Sequence, residues 1–324
     1  MLGTFTKQLF QGLGRYISFH AGRFLRGNPA LPPSSTEQLG PVPGSRSDIH
    51  RPFYQPRQSF DWLMLSQPSN QFYVGGPSDA VLDLLIHEPK FVLDVGCSIG
   101  DFSALMKTRF PRSRVWGIEP NKRAADIACR RVDRVLCQPI EEIDWKQEGV
   151  QRGDIDTILL FDVLEHIYDP WKTLLTLRNL VSPTAQLLLS IPNVRNAPLI
   201  QDLISGHWRY RKAGLLDITH IRFFTRQDMY RMFYQTGFRV VAMSCTRCPL
   251  SEEIFQKHIS GEFPQLVKLE SVSVTVQTPQ DLSDLCTLQH VFALQPVEYE
   301  DLSPDERAWI DAPHPPTVAY APPH

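Results

Sequence analysis

The sequence predicts an α/β protein built on a doubly wound, mostly parallel sheet. Between residues 61 and 295, short apolar segments alternate with segments of helical pattern. The apolar segments lack a polar face, so both faces of each strand should be covered by helices. Glycines and acids follow several of these segments directly, at the strand ends where open α/β sheets bind their ligands.

The elements are assigned in chain order from their composition. The first strand reads F-V-L-D-V, and the most apolar strand reads I-D-T-I-L-L-F. The predicted strands are 91–95, 115–119, 135–137, 155–161, 185–191, 238–244 and 288–294, and the predicted helices are 100–110, 121–131, 170–180 and 227–236. The alternating S-V-S-V-T-V within residues 246–287 leaves an edge hairpin, a part of the pocket and a dimer surface all open.

The two ends of the chain differ from this domain of residues 61–295. Residues 1–27 predict a basic amphipathic segment, because apolar residues recur at roughly helical spacing and no acid precedes Glu37. Contact with an anionic membrane surface, mitochondrial targeting and docking on the domain are all compatible with it. Residues 28–60 predict a Pro-rich linker, and residues 296–324, with seven prolines, predict a Pro-rich disordered tail.

Composition narrows the function classes. The 33 basic and 35 acidic residues give a net charge of −2, which argues against a nucleic-acid binder driven by bulk charge. No apolar run reaches the roughly 18–20 residues of a membrane span. Cys245 and Cys248 form one C-x-x-C, which Cys286 and His290 could complete as a zinc site, although incidental spacing is favoured. Scattered cysteines favour a cytoplasmic location.

The first two predicted strands end in residues suited to a nucleotide-type ligand. In F-V-L-D-V-G-C-S-I-G-D-F-S, Asp94 is followed by Gly96 and Gly100 before a helix begins. Glycines let the backbone approach a ligand closely, and a helix start offers unpaired N–H groups. Glu119 ends the second strand, where an acid accepts hydrogen bonds from ribose hydroxyls. The spacing fits neither the dinucleotide G-x-G-x-x-G nor the P-loop.

The fourth predicted strand carries a more specific pattern, F-D-V-L-E-H-I-Y-D-P at residues 161–170. With D-V-G-C-S-I-G and G-I-E, in that order and spacing, it resembles the class I S-adenosylmethionine-dependent methyltransferases. Within them it is similar to the small-molecule and glycan O-methyltransferase branch that includes ubiquinone-type enzymes. The segment G-L-L-D-I-T-H-I-R-F-F-T at 214–225 resembles an element of members linked to polysaccharide or glycolipid synthesis.

This resemblance covers about residues 91–245 and implies a Rossmann-like methyltransferase fold, a seven-stranded sheet and S-adenosyl-L-methionine as cofactor. It assigns the methionine part of the cofactor to Asp94, Gly96, Ser98 and Gly100, the ribose to Glu119, the adenosine flank to Asn121, and the sulfonium and amino group to Phe161 and Asp162. Two departures stand out. Ser98 replaces the middle glycine of the usual motif, and Gln138 and Pro139 replace the adenine-facing acid, so Gln138, the backbone or Ile140 should contact adenine.

The resemblance makes residues 192–225 the insertion that forms the acceptor pocket. Its predicted substrate-binding residues are Asn193, His207, Trp208, Tyr210 and Arg222, since rings stack on sugars and arginine binds carboxylates or phosphates. A hydroxyl acceptor must also lose a proton. His166 and His220 are the candidate bases, with a loop-orienting role for His166 and a structural hydrogen bond for His220 as alternatives. No convincing set of metal ligands is evident, so no metal is predicted.

The sequence therefore favours an enzyme that O-methylates a sugar, glycolipid or other small hydroxylated acceptor, without a nucleic-acid partner. A quinone precursor, another methylated atom, and a protein or RNA acceptor remain alternatives. A non-catalytic cofactor-binding or scaffold module is a further one. The missing adenine-facing acid favours that module, whereas the retained Asp94, Glu119 and Asp162 argue against it.

Overall fold

The computed structural model describes residues 79–311. The predicted segments 1–27 and 28–60 and residues 312–324 of the predicted tail lie outside the described residues. The strands are β1 (Phe91–Val95), β2 (Arg114–Ile118), β3 (Arg134–Leu136), β4 (Ile155–Phe161), β5 (Val181–Pro192), β6 (Phe238–Thr246), β7 (Gln265–Lys268), β8 (Ser273–Val276) and β9 (Gln289–Pro296). The helices are α1 (Asp101–Arg109), α2 (Lys122–Ala128), α3 (Pro170–Leu180), α4 (Ala197–Ile204), α5 (Arg226–Gln235), α6 (Pro249–His258), α7 (Pro279–Cys286) and α8 (Pro304–Asp311).

Seven of these strands form one sheet in the order β3-β2-β1-β4-β5-β9-β6. β1 pairs in parallel with β2 and β4, and β4 pairs in parallel with β5. β9 lies antiparallel between β5 and β6. The predicted doubly wound, mostly parallel seven-stranded sheet is confirmed.

Apolar side chains cover the sheet on both faces. Leu174, Phe233 and Phe292 belong to the buried cluster on one face, whereas Met106 and Val291 belong to the cluster on the other. Because Val291 and Phe292 are consecutive in β9 and enter different clusters, that strand has no polar face, as the uninterrupted apolar sequence predicts.

Two predicted boundaries are wrong by three residues or more. The helix expected over 121–131 is only Lys122–Ala128, with Asn121 as its cap: the Asn121 side chain accepts hydrogen bonds from the N–H groups of Arg123 and Ala124. The N–H groups of residues 130 and 131 bond three residues back, which tightens the last turn. β5 begins four residues earlier than the predicted 185, and its pairing with β4 is irregular there.

The predicted disordered tail is also wrong for its first part. Residues 299–311 form a 3₁₀ turn, Tyr299–Asp301, followed by α8. Ser303 and Glu306 make reciprocal hydrogen bonds, from Ser303 N to Glu306 Oε2 (2.8 Å) and from Glu306 N to Ser303 Oγ (3.2 Å). This is the capping-box arrangement of S-x-x-E, which favours a helix despite the surrounding prolines.

Residues 246–287 contain a small unit beside the main sheet. β7 and β8 form an antiparallel hairpin, and Val267 and Val276 from it pack with Phe255 of α6 and Leu282 of α7. The hairpin forms a sheet of its own and is not an edge of the main sheet. Within residues 79–311, no helix combines the length and apolarity that crossing a bilayer requires.

Candidate active site

The carboxyl ends of β1, β2 and β4 lie side by side at one edge of the sheet. Asp94 of β1 is in register with Gly117 of β2 and Leu159 of β4. Glu119 directly follows β2, and Asp162 directly follows β4. The parallel pairing thus brings together acids that are far apart in sequence, as expected for a site at this edge.

The loop between β1 and α1 curls tightly against its neighbours. Gly96, Ser98 and Gly100 have φ of 72°, 49° and 79°, in the left-handed region that favours glycine. A Cβ on Gly96 would lie 2.8 Å from Cγ2 of Val163. Glycine is therefore required at position 96 both for its backbone conformation and for the close approach of the loop after β4.

Glu119 holds this loop in place. One carboxylate oxygen accepts a hydrogen bond from Ser98 N at 2.9 Å, and the other accepts one from Asn121 N at 2.8 Å. Burial raises the pKa of Glu119, whereas the two N–H donors lower it. Each oxygen keeps a second lone pair with which to accept a ligand hydroxyl.

Asp94 is buried beneath the start of α1, where its carboxylate accepts a hydrogen bond from the Ser103 hydroxyl. Burial raises the pKa of Asp94 to about 7, with the Ser103 bond opposing the shift and the nearby Glu119 charge adding to it. Asp94 consequently orients the loop from below, and Ser103 is a partner that the sequence motif did not reveal.

Asp162 adopts φ of 55° at the end of β4, an uncommon conformation for a residue other than glycine. Its Oδ1 accepts hydrogen bonds from Ser190 Oγ at 2.7 Å and from Gln289 Nε2 at 2.5 Å. The preceding Phe161 packs edge-on against Phe102, with ring centroids 5.0 Å apart. Gln289 comes from the far end of the chain, so no local motif could have identified it.

A second polar group follows Asp162 in the 3₁₀ turn Leu164–His166. The N–H groups of Ile221 and Arg222 both donate to the Glu165 carbonyl oxygen, at 2.9 and 3.0 Å. These bonds bring His220 against the turn, and the rings of His166 and His220 meet edge to face with centroids 4.7 Å apart. The two histidines predicted as candidate bases are therefore neighbours.

Glu165 is the third, buried member of this group. Its side chain is 1% exposed, and neither carboxylate oxygen has a hydrogen-bond partner among the described residues. His220 Nε2 lies 4.0 Å from Glu165 Oε1, and His220 Nδ1 lies 3.1 Å from the Leu215 carbonyl oxygen. Because a carbonyl only accepts, Nδ1 carries the hydrogen and Nε2 is the nitrogen that can take up a proton.

Burial governs the ionisation of this group. It raises the pKa of Glu165 well above its usual range, and the Asp162 charge raises it further. Burial also lowers the pKa of His166, and His220 adds to that effect. His166 Nδ1 lies 3.2 Å from both the backbone and hydroxyl oxygens of Thr219, so the loop that carries His220 also fixes this ring.

One carboxylate and two imidazoles are also donor types of zinc and non-haem iron. The candidate ligand atoms of Glu165, His166 and His220 all lie within 4.8 Å of one another, and no other such group occurs in residues 79–311. The sequence predicted no metal, because nothing in it indicates that His220 meets His166. The C-x-x-C cysteines do not assemble a comparable group in that range.

The predicted substrate-binding residues separate into two sets. Asn193 is fully buried, and its Nδ2 donates to the carbonyl oxygens of Asp284 and Thr287 at 2.8 and 2.9 Å, which fastens the insertion to α7. The other four occupy the outer part of the insertion: His207, Trp208, Tyr210 and Arg222. Gln138 is half-buried two residues after the end of β3.

Comparisons with known proteins agree with this architecture. The sequence profile of a family described as "Methyltransferase domain" matches residues 72–243, just over half of the chain. A curated relative is the ubiquinone biosynthesis O-methyltransferase of Aeromonas salmonicida, which is 25% identical over 167 residues, 51% of this chain and 69% of the relative.

Similar solved structures share only 14–15% of the sequence. A SAM-dependent methyltransferase from Archaeoglobus fulgidus is 14% identical over 64% of this chain and 86% of that chain, with a TM-score of 0.43. The 1,6-didemethyltoxoflavin-N1-methyltransferase of Burkholderia thailandensis, with bound 1,6-didemethyltoxoflavin and S-adenosylhomocysteine, is 15% identical over 65% of this chain and 72% of that chain, with a TM-score of 0.39.

Proposed function

The chain belongs to the methyltransferase-domain family and is an S-adenosylmethionine-dependent methyltransferase, and from this we propose that it methylates a hydroxyl group of a small acceptor. The acceptor class that we favour is a sugar, a glycolipid or a similar hydroxylated molecule. His220 takes up the hydroxyl proton, and the Glu165 carboxyl group lies beside its ring. The observation that supports this proposal is the buried Glu165 carboxyl group, whose Oε1 lies 4.0 Å from His220 Nε2.

The residues at the strand ends suit the chemistry of the cofactor. S-adenosylmethionine supplies a methyl group on a positively charged sulfur, next to an α-amino group and a ribose. Glu119 accepts hydrogen bonds from the ribose hydroxyls with its remaining lone pairs. Asp162, exposed at the end of β4, places a negative charge near the sulfonium and amino group. The loop of Gly96, Ser98 and Gly100 supports the methionine part.

Proton removal is the step that this chain's own residues supply. Positioning provides much of the rate of an in-line methyl transfer, but a hydroxyl oxygen becomes a good nucleophile only as its proton leaves. A base in contact with it contributes about 10²–10⁴-fold. The hydrogen bond from Nδ1 to the Leu215 carbonyl leaves Nε2 of His220 as the nitrogen that would take up this proton.

A phenolic acceptor is a second candidate, favoured by the name of the curated relative, a ubiquinone biosynthesis O-methyltransferase. A phenol with a pKa of about 10 transfers its proton to an imidazole more readily than an aliphatic hydroxyl does. Parallel assays of hydroxylated sugars, glycolipids and catechol-type phenols distinguish the two classes. The class with the higher kcat/KM identifies the acceptor chemistry.

The test of the mechanism is His220→Asn, since the shorter amide keeps a donor for the Leu215 carbonyl but removes Nε2. We expect kcat to fall by about 10²–10⁴-fold, while affinity for S-adenosylhomocysteine stays within about twofold. The matched control is His258→Asn, which changes a histidine of α6 away from this edge. Equal loss of kcat and of affinity for S-adenosylhomocysteine would assign His220 a structural role only.

Glu165→Gln is the second readout. Glutamine keeps the shape of the side chain next to His220 Nε2 but cannot gain or lose a proton there. If Glu165 takes part in the proton transfer, kcat should fall while affinity for S-adenosylhomocysteine stays within about twofold. The same assays are repeated with a metal chelator. Activity that disappears with the chelator and returns with a divalent metal would reassign Glu165, His166 and His220 to metal binding.

A further inference from the structure

The outer part of the acceptor insertion presents a strip of exposed apolar side chains. Leu203 and Ile204, at the end of α4, are 54% and 56% exposed, and Trp208 and Tyr210 are 38% and 42% exposed. Trp208 meets the ring of Phe223 edge to face at 5.4 Å, and Phe223 is itself 37% exposed. We call these five side chains the aromatic rim.

The rim is interleaved with positive charge. From residue 203 to 216 the sequence has three basic residues, Arg209, Arg211 and Lys212, and no acidic one. All three are exposed, and none takes part in an ion pair between described residues. On a chain with a net charge of −2, a stretch of this kind is electrostatically distinct from the rest of the molecule.

The rim is connected directly to the candidate active site. Phe223 follows the two residues whose N–H groups bond to the Glu165 carbonyl oxygen, Ile221 and Arg222. The Arg222 guanidinium lies over the ring of Tyr168, 4.8 Å from its centroid, and donates to the Tyr168 carbonyl oxygen. Tyr168 is 78% exposed. Its ring therefore extends the exposed apolar surface from the insertion towards the turn that contains His166.

We propose that the aromatic rim docks on the surface of an anionic lipid bilayer. Tryptophan and tyrosine favour the headgroup region, where the ring is buried and its polar edge stays hydrated. The aliphatic pair at the end of α4 reaches the acyl boundary, while Arg209, Arg211 and Lys212 pair with lipid phosphates. This surface goes beyond the proposed function, because it would operate whatever hydroxyl is methylated, and it would bring the site to the membrane surface.

The charge pattern favours a membrane over an RNA strand. An RNA strand would use the arginines and rings, but it would leave Leu203 and Ile204 exposed to water, since bases stack on rings and phosphates need cations. A lipid interface satisfies the aliphatic, aromatic and cationic side chains together. Docking there also removes the exposed apolar surface that would otherwise face water.

Vesicle sedimentation of the full chain tests the proposal. We expect binding to vesicles of phosphatidylcholine and phosphatidylglycerol at 3:1, weakened at least tenfold by raised salt or by pure phosphatidylcholine. Arg209→Glu/Arg211→Glu and Trp208→Ser should each weaken binding at least fivefold. Lys146→Glu/Lys268→Glu, a matched double charge reversal at exposed lysines elsewhere, should leave binding unchanged.

Two further measurements separate the alternatives. Brominated lipids should quench less fluorescence in Trp208→Phe than in the parent protein, which locates Trp208 at the bilayer. The Arg209→Glu/Arg211→Glu, Trp208→Ser and Trp208→Phe proteins are the rim variants. Each should bind S-adenosylhomocysteine with the affinity of the parent protein, which confirms that it is folded. The proposal is overturned if the rim variants bind vesicles as tightly as the parent. It is also overturned if only Lys7→Glu/Arg15→Glu, in the N-terminal segment, abolishes binding. Binding of single-stranded RNA without binding of vesicles would likewise contradict it.

Discussion

Glu119 illustrates how a single carboxylate at this edge combines two tasks. Its oxygens hold the N–H groups of Ser98 and Asn121, and the proposal gives the same oxygens to the ribose. Glu119→Ala should therefore weaken the binding of S-adenosylhomocysteine by about 1–3 kcal/mol, as expected when hydrogen bonds to a charged group are lost. Isothermal titration calorimetry measures this, with the exposed Glu141→Ala as control. Unchanged affinity in Glu119→Ala would remove Glu119 from the site.

The same residues show what a sequence reveals about a site. Asp94, Glu119 and Asp162 each follow or end an apolar strand, so their grouping at one edge could be predicted from pattern alone. Glu165 and Gln289 could not be assigned, because their roles depend on contacts across the fold. His220 was found only as a candidate, and its meeting with Glu165 depends on two backbone hydrogen bonds that no spacing encodes.

At the scale of the element, the β1–α1 loop depends on glycine. Gly96→Ala combines a left-handed φ of 72° with a Cβ 2.8 Å from Val163, whereas Gly149→Ala has a similar φ of 75° and nothing within 4 Å. The strain common to both should cost about 1–2 kcal/mol. Gly96→Ala should lose more stability than Gly149→Ala and should also bind S-adenosylhomocysteine more weakly. Urea unfolding and calorimetry compare the two, and equal losses of stability with equal affinity would contradict the close-approach argument.

β9 carries a histidine that makes its packing sensitive to acid. Neither ring nitrogen of His290 has a hydrogen-bond partner among the described residues. Burial, together with the charges of Arg226 and Arg247, lowers the pKa of His290 to about 3. The unfolded chain binds a proton near pH 6.5 and the folded chain does not, so this residue destabilises the fold progressively as pH falls from about 6.5 towards 3.

His290→Leu should remove this dependence. Between pH 7 and pH 5 the free energy of unfolding of the parent should fall by up to about 2 kcal/mol more than that of the variant, at most 1.4 kcal/mol per pH unit below 6.5. The variant must be compared with the parent, because Asp94 has the opposite effect on how stability changes with pH. Since the pKa of Asp94 is raised, its protonation stabilises the fold as pH falls below about 7. The free energy of unfolding is measured with urea at pH 7 and pH 5. An equal fall in the parent and in His290→Leu would show that His290 does not contribute.

Across the elements, the sequence predicted the apolar strands well, but it predicted the ends of elements and several helices poorly. All seven strands of the sheet were predicted. The most deeply buried ones, such as β1 and β4, were the clearest, because burial on both faces requires an apolar run. The end of α2 at Ala128 was missed because its last turn tightens through three-residue hydrogen bonds, which composition does not encode. The helix α4 within the acceptor insertion was missed as well. α8 was missed because the many prolines around it indicate disorder. The S-P-D-E capping signal, which favours a helix, is nevertheless visible in the local sequence.

At the scale of the whole molecule, the end of the described chain returns to the sheet and fastens it. Glu306 of α8 accepts hydrogen bonds from the Tyr234 hydroxyl of α5 at 3.1 Å and from the Arg239 guanidinium of β6 at 3.2 Å. Burial raises the pKa of Glu306, but these bonds, with those that the carboxylate accepts from the Ser303 N–H and hydroxyl, lower it to about 2. Leu302, 3% exposed, is buried beside them.

Removing residues 299–324 should therefore destabilise the protein more than removing 312–324 alone. The longer deletion uncovers the surface that Leu302 buries and leaves Tyr234 and Arg239 without Glu306. The loss of a buried leucine and two hydrogen bonds should cost roughly 2.5–6 kcal/mol. Thermal and urea unfolding of both deletions and of Glu306→Gln measure the effect. Because Glu306 has a lowered pKa, its contribution is present above about pH 4 and lost as pH falls towards 2, so the parent and Glu306→Gln should converge in acid. Equal stability of the two deletions would show that α8 rests on the fold without supporting it.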